Sequence, residues 1–138
     1  MTILDTNVVS ALMTDPPEDK VVNWLDSQAR TSIWTTSITV FEVRSGLETM
    51  AAGKRQARLS EVFEKILIRL SQRIAVFDDE AARLAANLTA ARQKRGRVGE
   101  LRDTMIAGIV LANRAGLATR NVAHFADISA TVVNPWNA

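Results

Sequence analysis

The hydrophobic pattern of this chain switches repeatedly between short apolar runs and positions spaced three and four apart. Thr2 to Leu4 is a short apolar run that ends in Asp5-Thr6-Asn7, after which Val8, Val9, Ala11 and Leu12 follow at helical spacing. This reads as a buried strand feeding a helix, with the polar triplet capping the turn. Pro16 and Pro17 break that helix, and Glu18 to Ala29 starts another on Val21, Val22, Trp24 and Leu25. Ser32 to Thr36, rich in β-branched residues and carrying Trp34, predicts a second strand. The pattern turns helical again after Ser37, with Ile38, Val40 or Phe41, Ser45 and Leu47 leading to a stop near Gly53. Leu59, Val62, Phe63, Ile66, Leu67 and Leu70 mark a long amphipathic helix. Arg73 to Phe77 predicts a third strand, and Asp78 or Asp79 caps an alanine-rich helix that runs through Arg95 and stops at Gly96. The last helix, Leu101 to Ala115, buries Met105, Ile106, Ile109, Val110 and Ala112; Leu117 to Thr119 and Ala130 to Val133 complete the strands.

Strands separated throughout by helices imply an α/β fold: a parallel sheet of about five strands covered by helices on both faces. At 138 residues the chain suits one domain, spanning 1–138. Its 47% hydrophobic and 23% charged residues are those of a globular protein. No apolar run approaches the roughly 18 residues of a bilayer span, and Met-Thr-Ile-Leu-Asp lacks the basic and apolar segments of a secretory leader, so a cytoplasmic protein is expected. Without cysteine there is no disulfide and no thiolate metal site, and any metal is left to oxygen ligands or the lone His124. The net charge of +2 says little about partners, but Lys54, Arg55 and Arg58 cluster, as do Arg92, Lys94, Arg95 and Arg97. Each cluster reads first as a solvated helix face, with partial use as a phosphate-contacting patch as the alternative.

In an open parallel sheet, ligands bind outside the carboxyl ends of the strands where the strand order reverses. Asp5 stands just past the first strand, Thr119 to Asn121 past the fourth, Glu42 in the first turns of the helix after the second, and Asp103 in the opening turn of a later helix. All are placed to converge on one crevice. Helix capping alone would account for Asp5 or Asp103 singly, and their joint placement is what points to chemistry. Three carboxylates suit a hard divalent cation, which polarises a phosphodiester and lowers the pKa of a water. A Gly-rich phosphate loop and a G-x-S-x-G elbow are absent, and one histidine leaves little for a Ser-His-Asp triad. His124, in Asn121-Val122-Ala123-His124-Phe125, reads as a surface or loop histidine.

Four segments, Ile3-Leu4-Asp5-Thr6-Asn7-Val8-Val9-Ser10, Thr36 to Gly46, Arg102-Asp103-Thr104-Met105-Ile106-Ala107, and Leu117 to Asn121 with Asn134-Pro135-Trp136, together resemble VapC toxins, closest to their FitB-like branch. The resemblance covers almost the whole chain in order. It implies a PIN-domain fold and a magnesium- or manganese-dependent endoribonuclease. It also implies RNA as substrate, a homodimer, and a VapB-type antitoxin that occludes the site and supplies any contact with DNA. Position by position, it makes Asp5, Glu42 and Asp103 the acidic metal ligands and catalytic residues. Asn121 falls where some relatives carry a fourth aspartate, Thr6 and Thr119 fall at hydroxyl positions that order the site, and Arg120 becomes a candidate phosphate contact. Glu100-Leu101-Arg102 departs from many relatives, which carry Ser, Asp or Ala before the aspartate; Glu100 is expected to pair with Arg102 or stay in solvent, with assistance to the metal as the alternative. A PIN-type RNA-processing nuclease without antitoxin, or a catalytically silent PIN-like binding module, are the competing readings. Val21, Trp24 and Leu25 read as core, with an antitoxin groove as the alternative.

Overall fold

The computed structural model describes residues 1–138. Strands β1 (Thr2–Leu4), β2 (Ile33–Thr36), β3 (Ile74–Ala75), β4 (Gly116–Ala118) and β5 (Val132–Val133) form one sheet in the order β3-β2-β1-β4-β5, parallel throughout. Parallel strands need crossovers, and helices α1 (Thr6–Met13), α2 (Asp19–Asp26), α3 (Ser37–Thr49), α4 (Lys54–Arg69), α5 (Asp79–Lys94) and α6 (Leu101–Ala112) supply them.

Side chains alternate across each strand, so neighbouring residues enter different cores. Leu4 and Ala118 join Val8, Val9, Val21, Trp24, Val43, Phe63 and Leu67 in a core beneath α1 to α4. Ile3 and Leu117 join Ala81, Leu88, Ile106, Ile109, Val110 and Phe125 beneath α5 and α6. Both faces are therefore covered, as the pattern predicts. Val21 and Trp24 are core residues of the first layer, so the groove alternative does not hold for them; Leu25 lines an apolar cavity with Leu12, Val22, Ile66 and Leu70. The helices α5 and α6 touch through Gly108, where a methyl group would run into the carbonyl of Ala81 and the Cβ of Ala85.

Several elements are shorter than their apolar pattern, the last strand among them with only Val132 and Val133. The second helix ends at Asp26, where Ser27 and Gln28 turn their side chains onto the carbonyl of Trp24. The third strand keeps only Ile74 and Ala75, because Val76 and Asp78 close a turn ahead of the Asp78 cap of α5. The last helix stops at Ala112: the Asn113 side chain donates to the carbonyl of Ile109, and Arg114 takes a left-handed φ of 51°.

Candidate active site

With β1 between β2 and β4, the strand order reverses at β1 and β4, and the crevice opens at their carboxyl ends. Asp5 and Thr119, the first residues past those two strands, are both buried. One Asp5 carboxylate oxygen accepts the backbone N–H of Thr6 at 2.8 Å, which caps α1. The other accepts the Thr119 hydroxyl at 2.7 Å and the Asn7 amide at 3.4 Å. The Asn7 side-chain oxygen Oδ1 in turn accepts the backbone N–H of Arg120 at 3.1 Å, so the polar triplet after β1 is tied to the loop after β4.

Glu42 comes one turn into α3, whose start is fixed by Thr36: its hydroxyl oxygen accepts the N–H of Thr39. The Thr6 hydroxyl donates to Glu42 Oε1 at 2.9 Å and lies 3.0 Å from the Thr39 hydroxyl. Asp103 lies in the first turn of α6, which Glu100 caps by accepting the Asp103 N–H at 3.0 Å. The Arg102 guanidinium bridges Glu100 at 3.1 Å and Glu42 at 3.5 Å, so Glu100 pairs as the sequence suggests. It also brings the starts of α3 and α6 together.

Electrostatics report the same convergence. Burial pushes the Asp5 carboxyl above the ordinary value; the hydrogen bonds from Thr119 and Thr6 oppose this, and the charges of Asp103 and Glu42 push it further up. Glu100 lies below the usual range, because the bonds from the Asp103 N–H and Arg102 outweigh its partial burial. The carboxylates of Asp5, Glu42 and Asp103 thus repel across a short space. They do not close on a single point in this arrangement, since Glu42 faces Arg102 and Asp103 faces His124.

His124 is a residue the sequence reading set aside. It lies in a turn of 3-10 helix, Val122–Phe125, and its Nδ1 stands 3.0 Å from Asp103 Oδ2. Asn7 and Thr39 were also missed as ordering groups; the Asp-Thr-Asn triplet and the Thr-x-x-Thr at the start of α3 are the signals that mark them. Arg92 needs the largest correction. Grouped with Lys94, Arg95 and Arg97 as a solvated face, it is instead 2% exposed and forms a bidentate pair with Asp127 at 2.8 and 2.9 Å. That pairing holds the Asp127 carboxyl down to about 2.

The other basic cluster behaves differently. Arg55 and Arg58 stay exposed and line an open groove with Thr6, Ser10, Glu42 and Arg102. Arg120, also exposed, lies with its guanidinium 4.8 Å from the Trp136 ring centre, stacked beside the Asn7 linkage. The Asn121 side chain is exposed and makes no hydrogen bond; only its backbone joins the site, through an N–H to the Thr119 hydroxyl oxygen at 3.0 Å.

Known proteins match this chain over nearly its whole length. The VapC ribonuclease Y4jK of Sinorhizobium fredii is 36% identical over 99% of this chain and 98% of its own length. Toxin FitB of Neisseria gonorrhoeae is 32% identical over 99% of each chain. The crystal structure of FitAcB from Neisseria gonorrhoeae superposes with a TM-score of 0.91 at 32% identity, covering 100% of both chains. The PIN-domain family model matches residues 2–130, from the first strand through the loop before the last. A five-stranded parallel sheet, matched over residues 2–130 by the family model and along its whole length by these relatives, places the chain in the PIN-domain family.

Proposed function

We propose that this protein is the toxin of a VapBC-type toxin–antitoxin pair and acts as an endoribonuclease that needs magnesium or manganese. The observation that carries the reading is the placement of Asp5, Glu42 and Asp103 about the sheet's reversal point: Thr6, whose N–H bonds Asp5, donates its hydroxyl to Glu42, and Arg102, next to Asp103, reaches the same Glu42. The site supplies oxygen donors only, apart from His124, and a cluster of like charges beside a buried carboxylate is what a hard divalent cation offsets. Asp5, Glu42 and Asp103 would hold magnesium or manganese, which would supply Lewis-acid chemistry towards a phosphodiester and its water nucleophile.

The protein's own groups do the rest. Thr119, Thr6 and Asn7 hold Asp5 in one orientation, and Thr6 with Thr39 does the same for Glu42, as the outer partners of metal ligands do. Arg55, Arg58 and Arg102 in the adjoining groove, and the exposed Arg120 stacked on Trp136, are candidates to contact the RNA backbone. Asn121, standing where some relatives have aspartate, leaves three carboxylates for the cation. A homodimer and an antitoxin that occludes the crevice complete the reading; contact with DNA comes through the antitoxin alone.

Two resembling relatives bear the names toxin and VapC ribonuclease, which favours this reading over a processing nuclease or a silent binding module. The intact acidic set argues against a silent module as well. Induced alone in a bacterial host, the protein is expected to slow growth, and co-expression of the small partner encoded beside it should restore growth and yield a stable complex. A harmless protein that cleaves RNA would favour the processing nuclease; a harmless and inert one, the binding module.

A further inference from the structure

Arg92 is buried, and all three nitrogens of its guanidinium donate hydrogen bonds. Nε and Nη2 bond Asp127 at 2.8 and 2.9 Å, Nη2 also donates to the carbonyl of His124 at 3.0 Å, and Nη1 donates to the Thr104 hydroxyl at 3.0 Å. The Thr104 hydroxyl passes the connection on by donating to the carbonyl of Glu100 at 3.0 Å, the residue that caps α6. The loop before α6 rests on the same group: a Cβ on Gly99 would come within 2.5 Å of Arg92 Nη1 and 3.1 Å of the Thr104 hydroxyl oxygen.

One side chain from α5 therefore touches two separate segments, the first turn of α6 and the 3-10 turn after β4. Those segments meet at the active site, where His124 Nδ1 lies 3.0 Å from Asp103 Oδ2. Asp103 is next to Thr104 in sequence, and the His124 carbonyl belongs to the residue whose ring faces Asp103. A buried ion pair is a poor device for stability, since apolar groups of the same volume often serve as well or better. Its strength lies in fixing geometry, because a planar fork accepts only one arrangement of partners.

We propose that Arg92, locked by Asp127, is a positioning residue: through Thr104 and the His124 carbonyl it sets the placement of Asp103 and His124 against each other. The proposal rests on the metal-site reading given above for its functional consequence, and on geometry alone for the placement itself.

Thr104→Val isolates the idea, because it removes the hydroxyl that joins Arg92 to α6 and leaves the Arg92–Asp127 pair and the side-chain volume in place. Two readouts separate the links. His124 is the only histidine in the chain, so its ring nitrogen resonances report the Asp103 contact in the metal-free protein without assignment. Thr104→Val should shift those resonances and weaken manganese binding, followed by its electron paramagnetic signal, by about 10-fold or more, the range for outer partners of metal ligands. Thr104→Ser, which keeps the hydroxyl, should restore both to near the parent values. Should Thr104→Val fail to fold cooperatively, Gly99→Ala takes its place: the added methyl presses on the guanidinium and should give the same two changes. Unmoved histidine resonances in the folded variant overturn the positioning role, as does a Thr104→Ser protein as impaired as Thr104→Val. Resonances that shift in Thr104→Val while the parent itself binds no manganese support the placement and overturn the metal reading instead.

Discussion

Asp5→Asn should abolish RNA cleavage while leaving the fold at least as stable as the parent's in the absence of metal. Asp5 is 3% exposed and its carboxyl is held above the ordinary range, first by burial and then by the charges of Asp103 and Glu42. Its ionised form is therefore retained against the preference of the fold. Replacing it with a neutral amide removes that repulsion and keeps the shape. Part of the gain is lost again, because an amide nitrogen now meets the Thr119 hydroxyl that donated to the carboxylate. For activity the change removes one of three charged oxygen ligands, and the loss should exceed the 10- to 100-fold range seen for groups that merely support ligands, so about 100-fold or more is expected. Thermal unfolding separates the effects. A cation at about 100 times its Kd should stabilise the parent by about 2.7 kcal/mol and the variant by far less. A variant that cleaves RNA at the parent's rate, or gains equally from the cation, would remove Asp5 from the site.

The largest effect on stability is expected at the Arg92–Asp127 pair. Asp127→Ala leaves a buried guanidinium with its two strongest bonds unmade, and breaking such a pair typically loses about 3–5 kcal/mol. For a chain of this size that lowers the melting temperature by on the order of 10 °C. Arg95 and Arg97, half-exposed and 3.7 and 3.9 Å from the same carboxylate, do not compensate, since they lose a partner too. Replacing both members, as Arg92→Met with Asp127→Leu, should recover much of the loss. The pair also predicts an acid transition. The Asp127 carboxyl is held to about 2, chiefly by its bonds from Arg92, against an unfolded value near 3.8. A depressed folded pKa contributes stability that is complete above the unfolded value and lost as pH falls towards the folded one. About 2 kcal/mol should therefore disappear between roughly pH 4 and pH 2 in the parent and be missing at all pH values in the double variant. A loss under about 1 kcal/mol in Asp127→Ala, measured by denaturant unfolding, would show that the pair is not needed in this form.

The acidic crevice and the buried Arg92 pair were unequally visible in the sequence. Asp5 and Thr119 were legible because short apolar runs end at them, and a parallel sheet needs little else to bring two strand ends together. Glu42 and Asp103 were legible as acids in the opening turns of apolar helices. Arg92 was not: in sequence it stands among Lys94, Arg95 and Arg97, and its partner lies 35 residues away on a turn that no periodicity predicts. The same long-range packing hid His124, whose contact with Asp103 depends on where the 3-10 turn settles against α6. Helix ends were overextended where local side chains, such as Asn113 on the Ile109 carbonyl, interrupt an apolar pattern that runs on. The basic clusters show the limit most clearly, since residues alike in sequence divide between a buried strut at Arg92 and a groove wall at Arg55 and Arg58.

The most direct test of the central claim is cleavage of an end-labelled single-stranded RNA by the purified protein, freed of metal and then supplied with magnesium or manganese. The carboxylate cluster predicts no cleavage in excess chelator and restoration by either ion, with internal cuts that an Asp103→Asn protein does not make. Undiminished cleavage in excess chelator, or cleavage by Asp103→Asn equal to the parent's, would contradict the claim.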